Sequence, residues 1–285
     1  MIFSPIKIGS LEVSNRIVVA PMCQYSAING VMTDWHTQHL MQLGYSAAGL
    51  IKVEATAVEE IGRTTHNCVG IYDDKCIASL KKNLQLAKSV APNKSCFGIQ
   101  LAHAGRKAST QRPWEGRSAL TKEEIPWNTI GPSSVPFHET WHIPQEMKLS
   151  DIERVKRQFN SASLKAVEIG FDLIEIHGTH GYLLHQFLSP ISNKRKDKYG
   201  GNLENRMRFP LEIFSSVKSC LPKEFPLGMR ITGTEWENNG IDENEATIFA
   251  KELEKIGCHY VCVSSGDNTP NPKIPIGPNY QVHLA

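Results

Sequence analysis

Ile174-Glu175-Ile176-His177-Gly178-Thr179-His180-Gly181-Tyr182-Leu183-Leu184-His185-Gln186-Phe187-Leu188-Ser189-Pro190 is the stretch on which the fold turns. With Leu173 before it, its first part reads as a strand, and that strand runs straight into polar side chains. Barrels of parallel strands keep their chemistry at such strand ends. His177 and His180 can converge as hydrogen-bond donors on one acceptor oxygen, and Tyr182 is a weak acid able to deliver a proton nearby. The bland alternative is that these residues cap a helix start or satisfy buried backbone groups. Two histidines and a tyrosine at one strand end weigh towards chemistry.

Outward from this stretch, short apolar runs alternate with longer helical patterns, which favours a parallel sheet covered by helices. Strands are expected at Ile17 to Ala20, Leu50 to Glu54, Phe97 to Leu101, Leu173 to His177, Leu227 to Ile231 and Tyr260 to Ser264, six in all. Between Ser150 and Gly170, the residues Ile152, Val155, Phe159, Ala162, Ala166 and Ile169 recur at spacings of three and four and share one helix face. Ser150 with Glu153 has the form of a capping box, and Gly170 suits a helix end. Asp242 with Glu245 opens a second such helix, and a third runs from Asp74 to Val90 before Pro92. Residues 103–149, rich in Pro, Trp and Gly, read as a long rim insertion or lid inside a single domain spanning 1–285. No Gly-x-Gly-x-x-Gly follows a strand, so a doubly wound nucleotide domain has no support.

Bulk properties narrow the function classes. The 285 residues fit one large α/β barrel, and 31 basic against 29 acidic residues give a net charge of +2. That balance argues for no nucleic acid and no membrane partner. Seven cysteines without framework spacing suit a reducing, cytoplasmic setting. The Cys258-His259-x-x-Cys262 pattern invites a metal reading, but it falls on a strand and lacks a second ligand pair, so no metal is expected. The start Met1-Ile2-Phe3-Ser4-Pro5 does not read as a signal peptide.

The central motif, His-x-x-His-Gly-Tyr-Leu-Leu-His-x-Phe-Leu-Ser-Pro, resembles the old yellow enzyme family, and further pieces match in the same order. These are Asn15-Arg16-Ile17, Ala20-Pro21-Met22-Cys23-Gln24-Tyr25-Ser26, Val53-Glu54-Ala55-Thr56-Ala57, Gln100 to Lys107 and Tyr199 to Arg206. Cys23, Tyr25, Arg106-Lys107-Ala108-Ser109 and the Pro113-Trp114-Glu115-Gly116 turn are similar to its bacterial xenobiotic reductase and NADPH dehydrogenase branch. The resemblance implies a TIM (β/α)8-type barrel that binds FMN across its C-terminal mouth. It further implies hydride transfer from NADPH or NADH to FMN and on to a small-molecule activated alkene, with a homo-oligomer compatible. Ala20, Pro21, Met22 and Cys23 are implied at the isoalloxazine edge, with Ala55 beside it, Gln100 pairing with the pyrimidine edge and Arg230 placing its charge beside N1. His177 and His180 are implied to hold the substrate oxygen, Tyr182 to protonate the α carbon, and Tyr25 to line the substrate face. For three of these, plain structural roles stay open. Cys23 can be a small buried hydrophobe, Gln100 can satisfy backbone groups, and Arg230 can pair with Glu54 or Glu175. His36, His39 and His103 are read as structural.

The strand count stops two short of eight, so the resemblance implies a barrel without its last two strand-helix units and without its main phosphate anchors. The rival reading is a remnant that does not retain FMN and acts as a non-catalytic interaction module. A lyase or aldolase comes third, because no lysine sits at a strand end for a Schiff base.

Overall fold

A computed structural model describes residues 1–92 and 95–285. The chain opens with an antiparallel hairpin, β1 (Ile6–Ile8) and β2 (Leu11–Val13). There follow β3 (Val18–Val19), α1 (Asp34–Tyr45), β4 (Leu50–Ala57), α2 (Asp74–Val90) and β5 (Cys96–Ala102). After a short ladder of β6 (Ile130–Gly131) with β7 (Gln145–Glu146) come α3 (Leu149–Ile169), β8 (Leu173–Gly178), α4 (Leu183–Leu188) and α5 (Leu203–Cys220). The last elements of this series are β9 (Leu227–Thr232), α6 (Glu243–Lys255) and β10 (Val261–Ser264).

β3, β4, β5, β8, β9 and β10 form one parallel sheet in chain order, and helices connect the strands. They are six strands of a (β/α)8-type barrel. Every strand expected from the sequence is present, with altered bounds. The first shrinks to Val18–Val19, just before Pro21, which has no N–H to extend a ladder. The second runs on to Ala57 across a register shift between Val53 and Ala55. Among the described residues, β3 and β10 each pair on one side only, so they are the sheet's edges.

The helix faces follow the periodicity. All six apolar positions expected on the α3 face are buried, and Gly170 ends the helix in the left-handed region at φ 102°. Its start is a correction. Lys148, not Ser150, is the N-cap, and the Asp151 carboxylate accepts from the Lys148 backbone N–H at 2.9 Å. Asp151 lies in the first turn, where a carboxylate complements the helix dipole. On α6, Asp242 accepts from the Glu245 N–H at 2.8 Å.

The β1–β2 hairpin has no counterpart in the reading of the sequence, although its alternation around Gly9-Ser10 was visible there. Ile6, Ile8 and Leu11 pack with Val13, Leu50, Cys96 and Leu173, closing the barrel end opposite the strand C-termini. Residues 103–149 form three single-turn helices and the β6–β7 ladder. Among the described residues, no helix is long and apolar enough to cross a membrane.

Candidate active site

β8 delivers His177 to the mouth of the barrel, where the strand register sets it beside Arg230, and Arg230 in turn beside Cys262. Beyond β8 the chain turns through His180, held at φ 58°, and Tyr182 then caps α4. A non-glycine residue in that backbone region carries strain, which surrounding contacts must hold in place. The turn brings the three expected residues together. The His177 ring centroid lies 5.3 Å from that of His180 and 5.1 Å from that of Tyr182. His180 Nε2 is 2.7 Å from Ser264 Oγ, at the end of β10. Among the described residues, His177 Nδ1 is buried without a hydrogen-bond partner.

Burial sets the protonation of this group. It holds His177 well below the usual imidazole range, helped by the charges of His180 and Arg230, and it does the same to His180 with Arg230 and Lys107. Both rings are therefore neutral near pH 7, each with one N–H to give. Burial pushes Tyr182 well above the ordinary phenol value, and nearby Tyr25 and Cys23 add to it. Its proton stays on until a stronger base arrives.

The residues after β3 line the opposite side. Pro21 is buried, while Ala20 and Met22 lie exposed beside the edge strand. Burial, with Glu54 and Cys68 nearby, lifts Cys23 well above its usual value, so it stands as a thiol. Tyr25 adopts φ 50°, and its ring meets Trp114 edge-on at 5.8 Å. Trp114 belongs to the 103–149 segment, which thereby reaches the site. Glu54 accepts from the Gln24 N–H at 3.0 Å and anchors this loop. Cys23, Ala55, Ala57, Ala102, Ala104 and Tyr182 border a small cavity among these groups.

Below the mouth lies a paired polar layer. Glu175 is fully buried and accepts from Lys52 Nζ at 2.5 Å, Gln100 Nε2 at 2.8 Å and Tyr260 Oη at 3.0 Å. Gly228 makes room for it, since a Cβ there would come within 2.1 Å of the Tyr260 ring. Two structural alternatives from the sequence are corrected here. Gln100 serves a carboxylate rather than backbone groups, and Arg230 pairs with neither Glu54 nor Glu175. Lys52 has already taken Glu175, and Arg230 has only a 3.5 Å contact to Ser264, with its Nε buried and unpartnered.

His103 and His36, read as structural from the sequence, hold partners of their own. His103 accepts from the Gly105 N–H at Nδ1, 3.0 Å away, and pairs through Nε2 with Glu59 at 2.8 Å, outside the mouth. His36 folds back on the Thr33 N–H at the start of α1. The Cys258 thiol reaches the Tyr260 carbonyl at 3.1 Å, and His259 Nδ1 accepts from the Leu227 N–H at 3.1 Å.

Lys107 was quoted from the sequence without a role. Buried, it donates to the His180 carbonyl at 2.9 Å and to the Asp267 carbonyl at 2.7 Å, and it stands 5.3 Å from the Tyr182 ring. Burial lowers its pKa to about 8, against the pull of Asp267. Beside it, Arg106 donates to the Asn268 carbonyl at 2.7 Å, Asn268 to Glu235 at 3.0 Å, and Glu235 meets His185 at 2.7 Å. These ties clamp the segment after β10 onto the rim and fix the turn that carries His180. The available sequence signal was the position of Arg106-Lys107 just past the third strand.

The mouth therefore holds an unpartnered imidazole nitrogen, an unpartnered guanidinium N–H and small side chains between the β4 and β5 strand ends. That set fits a flat heteroaromatic ring whose polar edge accepts hydrogen bonds and gathers negative charge.

Comparison with known proteins gives the family and the fold. The family described as "NADH:flavin oxidoreductase / NADH oxidase family" matches residues 1–271. An NADH:flavin oxidoreductase of Gibberella zeae is 41% identical over 300 residues, covering 100% of this chain and 72% of that protein. An NADPH dehydrogenase of a Geobacillus species is 39% identical over 287 residues, covering 100% of this chain and 78% of that protein. Among solved structures, old yellow enzyme from a Pichia species superposes with a TM-score of 0.79 at 28% identity, over 92% of this chain and 70% of that one. A 2-naphthoyl-CoA reductase shares the fold with a TM-score of 0.86 at 24% identity, and there this chain spans 99% of its own length but 44% of that chain.

Proposed function

Since the chain belongs to the NADH:flavin oxidoreductase / NADH oxidase family, which makes it an FMN-dependent NAD(P)H oxidoreductase, we propose that its substrate is an activated alkene such as an enone or nitroalkene. The observation that carries this reading is the group at the end of β8: the His177 ring lies within 5.3 Å of both the His180 and the Tyr182 rings, and among the described residues its Nδ1 has no partner. Bound FMN would take a hydride from NADPH or NADH and pass it to the β carbon of the alkene.

The chain's own residues supply the rest. His177 and His180 hold the carbonyl or nitro oxygen and stabilise the negative charge that builds there as the β carbon is reduced. As neutral rings, each has one N–H to donate to this oxygen. His180 is held to Ser264, so the ring cannot swing away from its neighbour. Tyr182 gives its proton to the α carbon, a transfer suited to an acid that stays protonated until strong basicity develops beside it. Arg230, beside His177 in the register, places a permanent positive charge against the ring edge where reduction concentrates negative charge. Ala55 and Gln100 serve the same ring, and Ala20 to Cys23 border it, Cys23 as a thiol. Tyr25, braced by Trp114, lines the substrate face, so residues 103–149 act as a wall over the pocket.

The test starts from the purified chain and its visible spectrum with and without added FMN. Uptake of FMN, bleaching by NADPH and recovery on adding an enone support the reading. A chain that stays colourless supports the remnant instead. If the His177→Ala/His180→Ala chain reduced an enone at the wild-type rate, the assignment of both histidines would fall.

A further inference from the structure

We propose that the buried Lys52–Glu175 pair is a positioning device that decides which end of the Gln100 amide faces the mouth, so that the site accepts a ring N–H and rejects a ring acceptor. The inference rests on the reading of the mouth as a flavin site and concerns the layer beneath it.

An amide can turn over in place at little steric cost, exchanging a donor for an acceptor. In this chain the exchange is blocked. Gln100 stands level with Glu175 in the strand register, and both are buried. Glu175 receives donors from Lys52 at 2.5 Å and from Tyr260 at 3.0 Å, which leaves it an acceptor-only carboxylate towards Gln100. The Gln100 atom that meets it at 2.8 Å must then be Nε2. Turned over, the amide would set its carbonyl oxygen against a buried carboxylate, a contact that lowers no one's charge and satisfies no proton. Among the described residues, Gln100 Oε1 accepts no hydrogen bond, and His177 lies one pleat further along β8 on the same face as Glu175. The amide therefore presents Oε1 and its second N–H to the mouth, a pattern that matches an N–H beside a C=O. The pyrimidine edge of FMN carries that pair at N3 and C2.

Lys52 and Glu175 touch no ring in this scheme; they act through Gln100. Their joint removal is the fair test, because Lys52→Met/Glu175→Gln leaves no unpaired buried charge and lets position 175 either donate or accept. The readout is the exchange with water of the N3 proton of FMN labelled with ¹⁵N at N3, followed by NMR on wild-type and double-variant protein. In wild type the proton exchanges slower than in free FMN. In the double variant it exchanges about tenfold faster than in wild type, the effect of losing one hydrogen bond's worth of orientation.

Equal exchange rates in the two proteins overturn the proposal. So does a wild-type rate equal to that of free FMN, a result that needs no variant to fold. A wild-type chain that takes up no FMN overturns the flavin reading and the proposal with it. FMN uptake with unprotected N3–H removes the proposal alone.

Discussion

The mouth of the barrel and the layer beneath it use similar residues and treat them in opposite ways. Beneath, Glu175 collects three donors. One pleat higher, His177 Nδ1 and Arg230 Nε are buried with no partner. A buried polar group left unsatisfied costs about 1–3 kcal/mol. In the proposed function, the open layer is where the ligand supplies the missing partners. The closed layer holds the frame in register.

Breaking the closed layer is expected to have the largest effect on the fold. Lys52→Met strands the Glu175 carboxylate and is expected to remove about 3–5 kcal/mol of stability in urea unfolding. Lys52→Met/Glu175→Gln recovers most of it. A single-variant loss below about 1 kcal/mol would erase the contrast between the layers.

Breaking the open layer acts on rate instead. His177→Ala/His180→Ala is expected to slow enone reduction by about 10²- to 10³-fold, with a smaller loss of urea stability than Lys52→Met. Ala is chosen because it carries no side-chain donor. Tyr182→Phe removes only the proton donor. It is expected to lower the alkene half-reaction by about 10²-fold and leave reduction of the flavin by NADPH unchanged, a split that stopped-flow absorbance resolves.

A paired cluster outside the barrel sharpens the comparison. Burial pushes Glu59 up, but the hydrogen bond and charge of His103, joined by Arg154, outweigh it and hold the carboxyl at about 2 against an ordinary 4.5. A lowered folded pKa means stability that is present above pH 4.5 and lost as the pH falls towards 2. With allowance for its partial exposure, the loss is about 2 kcal/mol. Glu59→Gln should flatten acid unfolding in that window, followed by circular dichroism, and leave the enone rate unchanged. The smallest effect is expected at Trp114. Trp114→Ala removes an edge contact worth about 0.5–1.5 kcal/mol and should raise KM for the alkene by about two- to tenfold without changing flavin reduction.

Much of this is legible in the sequence. The α3 periodicity named every apolar residue that the helix buries, missing only Ser163, and six strands emerged from apolar runs bounded by turn residues. The β8 motif put His177, His180 and Tyr182 together because they are close in sequence and a strand end leaves few ways to arrange them. The start of α3 was misplaced, because both Ser150 and Lys148 precede an acidic residue three positions on, and only the backbone shows which frame the helix takes. Lys107 was passed over because its partners, His180 and Asp267, are 73 and 160 residues away.

The sequence by itself determined the alternation of strands and helices, the family resemblance and the residue types at the strand ends. These depend on local periodicity and on side-chain chemistry, which the chain carries at every position. Only the tertiary structure decided who pairs with whom across the barrel and in which protonation state. Lys52 and Glu175 are 123 residues apart, and His180 and Ser264 are 84 apart. Curling the sheet brings such distant strands into one interior, and burial there pushes the imidazoles below and the phenol above their ordinary ranges. Neither curvature nor desolvation has a local signature in the order of residues.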